Sequence, residues 1–260
     1  MADIKIVFFD IDGTLSDPKT RRIPDSARQT VHQLQRNGIL VGIATGRPPY
    51  NLPDFGDLRF DVFCTYNGSL CYNEKETIFN YPIAREDVQK VRENVTALGR
   101  PLAIGTRDRI AASGYEQDLA DYYTHAGLVL TVAEDFEEVY QDDIYMMMIG
   151  YRPEQLPAMI EGAKNVKFAL SCHCGADLVA ADGGKGNGIR KILEYYRLDP
   201  SQAMAFGDNH NDMEMLEAVG TGVAMGNATQ QLKDIADDVC GDVDRDGIYR
   251  YCVGHGLIRG

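Results

Sequence analysis

The chain has 260 residues, of which 44% are hydrophobic and 25% charged, and its net charge at pH 7 is −13. This composition is typical of a globular protein that can build its core without disulfides or structural metals. The acidic balance argues against a general attraction to nucleic acid or to anionic lipid. An anionic substrate would therefore need local cations, helix dipoles or a bound metal.

The cellular location is predicted from what the sequence lacks. No stretch approaches the roughly 18 apolar residues of a membrane span, and residues 1–5 lack the basic and apolar regions of a signal peptide. The six cysteines are scattered, without the spacing of a secreted disulfide framework. We expect a cytoplasmic protein with reduced thiols, bound neither to a membrane nor to nucleic acid. The oligomeric state is not indicated.

The two ends of the chain alternate buried strands with amphipathic helices. Asp25 is a plausible N-cap of the first helix, and Gly38 a plausible stop. The predicted strands cover 4–9, 39–44, 62–66, 203–206 and 222–225, with a last short one at 239–240, and the predicted helices cover 25–37, 188–196 and 212–219. This alternation predicts a parallel sheet with crossover helices.

The middle of the chain has a different pattern. The predicted helices cover 85–98, 116–126 and 153–163, and the predicted strands cover 102–104, 109–113, 144–149, 166–170 and 178–181. We therefore predict an α/β protein with a Rossmann-like parallel-sheet core domain, residues 1–81 and 182–260. An α+β domain, residues 82–181, is inserted into it.

Asp10 and Asp12 follow the first predicted strand, at the edge where open α/β sheets bind ligands. Two carboxylates this close repel each other unless they share a cation or a proton. One can serve as a nucleophile beside a metal while the other carries a proton. An ordinary Asp-Gly turn after a strand would give the same letters.

Thr45, Gly46 and Arg47 end the second strand, where a hydroxyl and backbone N–H groups suit a phosphate oxygen. Such turns are also common without a ligand. Lys185 lies in the Gly-rich segment 183–188, before a predicted helix whose N-terminus is positive. Taken alone, this segment fits a flexible inter-domain linker with a solvated lysine better than it fits a phosphate site.

Asp208, Asn211 and Asp212 follow another predicted strand. Carboxylate and amide oxygens are hard ligands of the kind that Mg²⁺ prefers. Asn211 or Asp212 also suits the N-cap of the next helix, and the two functions are compatible.

Together and in this order, the four segments resemble the motifs of the haloacid-dehalogenase-like (HAD) hydrolase superfamily, over essentially the whole chain. The most similar subgroup is the Cof-type phosphatases, subclass IIB, which carry a C2-type α+β cap between the second and third motifs. The long interval between Thr45 and Lys185 fits that cap. Segments 65–69, 223–228 and 246–248 add to the resemblance, and one departure is Gly188, where relatives often have alanine.

The resemblance implies that Asp10 attacks the substrate phosphorus and forms an aspartyl phosphate. It implies that Asp12 protonates the leaving alkoxide and then deprotonates the attacking water. The expected cofactor is Mg²⁺, and the expected substrate is a small phosphorylated metabolite. The implied metal ligands are the Asp10 side chain, the Asp12 main-chain carbonyl and Asp208. The implied phosphate-binding residues are Thr45, Gly46, Lys185 and Asn211. Asp212 supports the metal ligands or orients Lys185, and Arg47 reaches the substrate or the cap.

Two other functions fit the same motifs. A phosphomutase, similar to the phosphomannomutases, would return the phosphoryl group to a sugar instead of to water. A non-catalytic sensor of phosphorylated metabolites would use the fold without the chemistry. Sugar phosphates, nucleotides, flavin mononucleotide and pyridoxal phosphate all remain candidate ligands.

Three further patterns favour a structural explanation. Residues 242–247 match the start of a calcium-binding EF-hand loop, but its twelfth position would be Val253 in place of the required Glu. Cys172-His173-Cys174 supplies too few ligands for a zinc site and fits a strand of the inserted domain. Met146-Met147-Met148 fits an apolar core strand.

Overall fold

The computed structural model describes residues 3–125, 127–169 and 175–260. Its strands are β1 (Ile6–Phe9), β2 (Leu40–Ala44), β3 (Val62–Thr65), β4 (Leu70–Tyr72), β5 (Thr77–Asn80), β6 (Ala103–Gly105), β7 (Ile110–Ala112), β8 (Met146–Gly150), β9 (Val166–Ala169), β10 (Gly175–Ala180), β11 (Ala203–Gly207), β12 (Thr221–Ala224) and β13 (Asp238–Val239). Its helices are α1 (Asp25–Arg36), α2 (Arg85–Ala97), α3 (Gln117–His125), α4 (Phe136–Val139), α5 (Leu156–Met159), α6 (Lys185–Tyr196), α7 (Met213–Glu217), α8 (Gln230–Ile235) and α9 (Gly247–Gly254).

The chain divides into two compact units. The first, the core unit, contains Met1–Arg47, Leu52–Asn80 and Gly184–Gly260. The second, the inserted unit, contains Pro48–Asn51 and Tyr81–Gly183. Within the described residues, no helix is both long and apolar enough to cross a membrane.

The core unit is built on an eight-stranded sheet in the order β13-β12-β11-β1-β2-β3-β4-β5. Strand β1 pairs in parallel with β2 on one side and with β11 on the other, so that Phe9 lies between Ile43 and Phe206. The chain order reverses at β1, and this switch point is where open α/β sheets bind ligands. The predicted α/β fold with a parallel sheet is confirmed.

Burial explains why β1 is central. All four of its residues have no solvent exposure, as expected of a strand covered on both faces. Helix α1 buries Ala27, Val31 and Leu34, and it ends before Gly38, whose φ of +76° suits glycine. The predicted N-cap is wrong, because Pro24 occupies that position and Asp25 begins the helix.

Strands β4 and β5 are additions that the sequence pattern does not predict. They continue the core sheet with antiparallel pairing next to β3. Strand β4 has only three residues, and β5 is half-buried or exposed along its whole length. Strands this short or this exposed give a weak period-two signal.

The inserted unit contains a five-stranded antiparallel sheet in the order β7-β6-β8-β10-β9. One face packs on α2 and α5 through Met147, and the other packs on α3 through Met148. The helix predicted over 153–163 is wrong in length. A 3₁₀ turn and the short α5 replace it, because Pro157 lacks the N–H that a continuous helix would donate to the carbonyl of Pro153. The Cys172-His173-Cys174 pattern lies outside the described residues.

Candidate active site

Three neighbouring strands bring the predicted site residues to one edge of the core sheet. Asp10 directly follows β1, Thr45 follows β2, and Asp208 follows β11. The backbone N–H of Asp10 donates to the carbonyl of Phe206 at 3.0 Å, which extends the pairing of β1 and β11 up to the site. The carboxyl ends of parallel strands thus gather side chains that are far apart in sequence.

Lys185 is the buried cation of this site. Its Nζ donates to Oδ1 of Asp10 and to Oδ1 of Asp212, each at 2.6 Å, and its side chain has no solvent exposure. Burial by itself would lower the pKa of Lys185, but the two carboxylates outweigh it and raise that pKa above its ordinary value. The lysine therefore stays charged, and the alternative of a solvated lysine in a linker is wrong.

The carboxylates exceed the single cation. Burial raises the pKa of Asp10 to about 8; Lys185 opposes this shift, while Asp212 and Asp208 add to it by repulsion. Burial and the charge of Asp212 raise the pKa of Asp208 to about 7, against a 3.0 Å hydrogen bond from Thr14 Oγ1. The site thus has uncompensated negative charge, which a bound cation would neutralise.

The donor set fits a hard divalent cation. Asp10, Asp208 and Asp212 can each offer one carboxylate oxygen, and these oxygens lie within 4.8 Å of one another. The oxygens of Asp212 are already engaged by Lys185 and by two backbone N–H groups. Asp10 and Asp208 are therefore the better metal ligands of the three, in the oxygen-only environment that suits Mg²⁺.

Asp212 supports its neighbours through the loop before α7. It occupies the N-cap position of that helix but makes no capping hydrogen bond. Its Oδ2 instead accepts from the backbone N–H groups of Asp208 and Asn209 at 2.9 and 3.0 Å. A Cβ on Gly207 would lie 2.6 Å from the Cβ of Asp212, so glycine is required there.

Asp12 and Arg47 form a pair beside the carboxylate cluster. The Arg47 Nε and Nη2 donate to the two oxygens of Asp12 at 2.7 and 2.8 Å. Asp12 is about half exposed, with 53% of its side chain accessible, whereas Asp10 is buried. The two carboxylates of the first segment thus have different environments, although the sequence suggests no partner for Asp12.

The predicted phosphate-binding residues surround a turn at Asn67. Thr45 is buried and its Oγ1 accepts from the N–H of Arg47 at 3.1 Å. The Asn211 Nδ2 donates to Oδ1 of Asn67 at 3.0 Å, and a Cβ on Gly46 would lie 3.1 Å from both amide atoms of Asn67. Asn67 and Thr14 are site residues that the sequence reasoning does not assign, although Asn67 lies in segment 65–69 and Thr14 lies two residues after Asp12.

The local packing explains why residue 188 is glycine and not alanine. A Cβ at this position would lie 2.6 Å from Sγ of Cys64, 2.8 Å from Cα of Gly68 and 3.0 Å from Sγ of Cys71. Cys64 and Cys71 face each other across β3 and β4, and both are buried. The two sulfur atoms thus fill the space that an alanine side chain would need.

Comparisons with known proteins agree on one family. A family model described as haloacid dehalogenase-like hydrolase matches residues 7–251. The chain is 34% identical to "Putative phosphatase YkrA" of Bacillus subtilis, over 95% of each protein. It is 26% identical to the 5-amino-6-(5-phospho-D-ribitylamino)uracil phosphatase YitU of the same species, over 95% of each protein. A solved structure of the HAD subclass IIB sugar phosphatase BT4131 matches with 28% identity and a TM-score of 0.84, covering 98% of this chain and all of that one.

Proposed function

Because the chain belongs to the haloacid dehalogenase-like hydrolase family, we propose that it is a Mg²⁺-dependent phosphatase acting through an aspartyl phosphate on Asp10. The relatives confirm the family and the subclass that the motifs predict. The observation that carries the proposal is the position of Asp10. It lies at the switch point of the sheet, held by a buried Lys185 and adjacent to Asp208.

Asp10 is the proposed nucleophile. The 2.6 Å bond from Lys185 holds one carboxylate oxygen, which leaves the other to approach the phosphorus. Attack needs the ionised carboxylate, whereas burial raises the pKa of Asp10 to about 8. Asp10, Asp208 and the main-chain carbonyl of Asp12 are the proposed Mg²⁺ ligands. The cation, when bound, supplies the positive charge that keeps these carboxylates ionised and orients the phosphoryl group.

Asp12 is the proposed general acid and base. It protonates the leaving oxygen and then takes a proton from the water that attacks the aspartyl phosphate. In the structure both of its carboxylate oxygens accept from Arg47, and the second step needs Asp12 as the carboxylate. The first step needs a proton on Asp12, so this ion pair has to loosen when substrate binds.

Phosphoryl transfer relies mainly on positioning and on stabilising charge. We propose that Thr45, Gly46, Lys185 and Asn211 bind the phosphoryl oxygens and that Asp212 orients Lys185. The support is their arrangement at one edge of the sheet, with a hydroxyl, a charged lysine and an amide available as donors.

The substrate class is proposed from the relatives. One is described as a sugar phosphatase, and another as a phosphatase of a ribitylaminouracil phosphate. Both descriptions name a phosphate on a small organic molecule, and we propose a small phosphomonoester for this chain as well. The phosphatase names favour hydrolysis over the mutase, and the charged, assembled site favours an enzyme over a sensor.

We extend the proposal to the domain boundaries and the location. Residues 1–81 and 182–260 would form the catalytic domain, and residues 82–181 a cap domain that selects the substrate. The separate hydrophobic core of the inserted unit supports this division. The four cysteines that the structure describes are free thiols, which suits the reducing cytoplasm.

The test is phosphate release from an aryl phosphate and a panel of sugar, polyol, nucleoside and pyridoxal phosphates. Each assay is run with Mg²⁺ and with EDTA, on the wild type, on Asp10→Asn and on Asp57→Asn. The last substitution is a control at an exposed carboxylate. We expect release that needs Mg²⁺, survives Asp57→Asn and falls about 10³-fold or more in Asp10→Asn.

The aspartyl phosphate is tested by quenching a reaction with acid, digesting the protein and analysing the peptides by mass spectrometry. We expect a phosphoryl group on the peptide that contains Asp10. Undiminished release by Asp10→Asn would exclude this residue as the nucleophile. If the wild type releases phosphate from none of the compounds, the phosphatase proposal is contradicted. Turnover that appears only with a bisphosphorylated sugar would favour the mutase, and binding without any turnover would favour the sensor.

A further inference from the structure

The turn between β3 and β4 has an unusual backbone. Three consecutive residues, Tyr66, Asn67 and Gly68, have positive φ angles of 51°, 50° and 95°. Left-handed conformations are unfavourable for residues with a side chain, although Asn tolerates them better than most. Such conformations persist only where the surroundings impose them, and they concentrate at functional sites.

The surroundings of this turn are the segments of the proposed phosphate site. The N–H of Tyr66 donates to the carbonyl of Arg47 at 3.1 Å, and the N–H of Asn67 donates to the carbonyl of Thr45 at 3.0 Å. On the other side, a Cβ on Gly68 would lie 2.1 Å from the carbonyl oxygen of Gly184. The turn is therefore fixed between the Thr45 segment and the residue that precedes Lys185.

The Asn67 side chain connects the remaining element. Its Oδ1 accepts from Nδ2 of Asn211 at 3.0 Å, which leaves the second N–H of that Asn211 amide for another acceptor. Its own amide group lies over Gly46, where a Cβ would come within 3.1 Å of it. Asn67 thus contacts Thr45, Gly46 and Asn211, three of the four residues proposed to bind the phosphoryl group.

We propose that Asn67 is a positioning residue for phosphate binding, which aims the second N–H of the Asn211 amide and sets the distance to the Gly46 backbone. This inference rests on the proposed function. It explains the residue type, because glycine fits the backbone but offers no oxygen to Asn211. Aspartate offers the oxygen but places a negative charge beside the anion site. Asparagine alone meets both demands at a left-handed position.

The test compares Asn67→Gly and Asn67→Asp with the wild type. Both substitutions tolerate the positive φ, so each removes one property of the side chain without imposing a new backbone. Asn73→Asp is the matched control, because it makes the same chemical change in the β4–β5 turn, where Oδ1 accepts from the N–H groups of Lys75 and Glu76. The probe is inorganic phosphate, titrated by calorimetry in the presence of Mg²⁺, with kcat and KM measured for an aryl phosphate.

We expect Asn67→Gly to weaken phosphate binding about threefold to tenfold, the effect of one hydrogen bond. We expect Asn67→Asp to weaken it further, about tenfold to a hundredfold, and to raise KM by a larger factor than it lowers kcat. The weakening in Asn67→Asp should shrink as salt is added, since a charge causes it. Asn73→Asp should bind phosphate as the wild type does.

Wild-type phosphate affinity in Asn67→Gly, with or without a lower melting temperature, would assign the residue to the fold alone and overturn the proposal. Equal affinities of the Gly and Asp variants would overturn the charge argument. Phosphate titration needs no turnover, so the two proposals separate. If the wild type has no phosphatase activity but its phosphate binding depends on Asn67, this inference stands and the proposed function is contradicted. A wild type that hydrolyses the aryl phosphate but binds no inorganic phosphate overturns this inference and leaves the proposed function standing.

Discussion

Each unit of the protein contains a cluster of charged side chains, and the two clusters differ in balance. In the core unit, three carboxylates, Asp10, Asp208 and Asp212, face one ammonium group, Lys185. In the inserted unit, two arginines face two acids. Buried charges need partners, and an excess of one sign raises the free energy of the folded state. The core cluster retains an excess that a ligand can neutralise, whereas the inserted cluster neutralises itself.

The inserted cluster is a closed network. Arg100 Nη2 and Arg152 Nη2 lie 2.7 Å from the two oxygens of Glu116, and Arg152 Nε lies 2.7 Å from Asp118. Arg100 also donates to the carbonyl of Gly150 at 2.9 Å and is 2% exposed at its side chain. A network of this kind holds β8 and α3 in place and leaves no charge for a ligand. The comparison suggests that charge balance separates the structural cluster from the cluster at the proposed active site.

The largest expected effect comes from breaking the balanced cluster. Arg100→Met should lower the free energy of unfolding by about 3–5 kcal/mol, because it leaves the largely buried Glu116 without one of its partners. Urea unfolding followed by circular dichroism measures the loss. Arg100→Met combined with Glu116→Gln is the matched control and should recover part of it. A loss below about 1 kcal/mol would show that this network is not structural.

An intermediate effect comes from the unbalanced cluster and depends on pH. The folded-state pKa of Asp10 is raised from 3.8 to about 8, so the folded protein keeps a proton that the unfolded chain releases near pH 4. Stability contributed by that proton is present below pH 4 and is lost as the pH rises towards 8. Without metal, the melting temperature should therefore fall by several degrees between pH 5 and pH 8, about 2–4 °C for each kcal/mol.

Asp10→Asn should flatten this slope, and Mg²⁺ should raise the melting temperature of the wild type more at pH 8 than at pH 5, since protons compete with the cation. Asp177 gives a built-in control. Burial in the inserted unit raises the pKa of Asp177 to about 7. Its contribution to the pH dependence of the melting temperature therefore has the same sign, but that contribution should not respond to Mg²⁺. Scanning calorimetry with and without EDTA measures the contributions of both residues. A metal-free slope that Asp10→Asn leaves unchanged would contradict the charge excess.

The same contrast separates what the sequence predicts from what it does not. Buried strands such as Ile6–Phe9 are predictable because burial on both faces gives a continuous apolar run. Because Asp10, Thr45 and Asp208 each follow such a strand, the sequence also predicts that they lie at the same edge of the sheet. The pairing of Asp12 with Arg47 has no comparable signal, because it depends on side-chain directions at two separate strand ends.

Asn67 shows the limit most clearly. Its contribution depends on a positive φ angle and on a contact with Asn211, 144 positions later in the chain. Neither is visible in a pattern of apolar and polar residues. The short strand β4, which follows that turn, also lacks a clear period, so both the turn and its function emerge only from the folded backbone.

The smallest expected effect concerns the packing behind the site at Gly188. Gly188→Ala should lower the free energy of unfolding by about 1–2 kcal/mol, because the added methyl group overpacks the space beside the Cys64 sulfur. Cys64→Ala makes room for that methyl group, so the double variant should be more stable than the two single losses added together, by about 0.5–1.5 kcal/mol. Gly188 lies in the first turn of α6, which begins at Lys185. We therefore expect Gly188→Ala to lower kcat as well, and Cys64→Ala to restore part of that loss. Strict additivity in urea unfolding would mean that the two cysteines do not determine the residue at position 188.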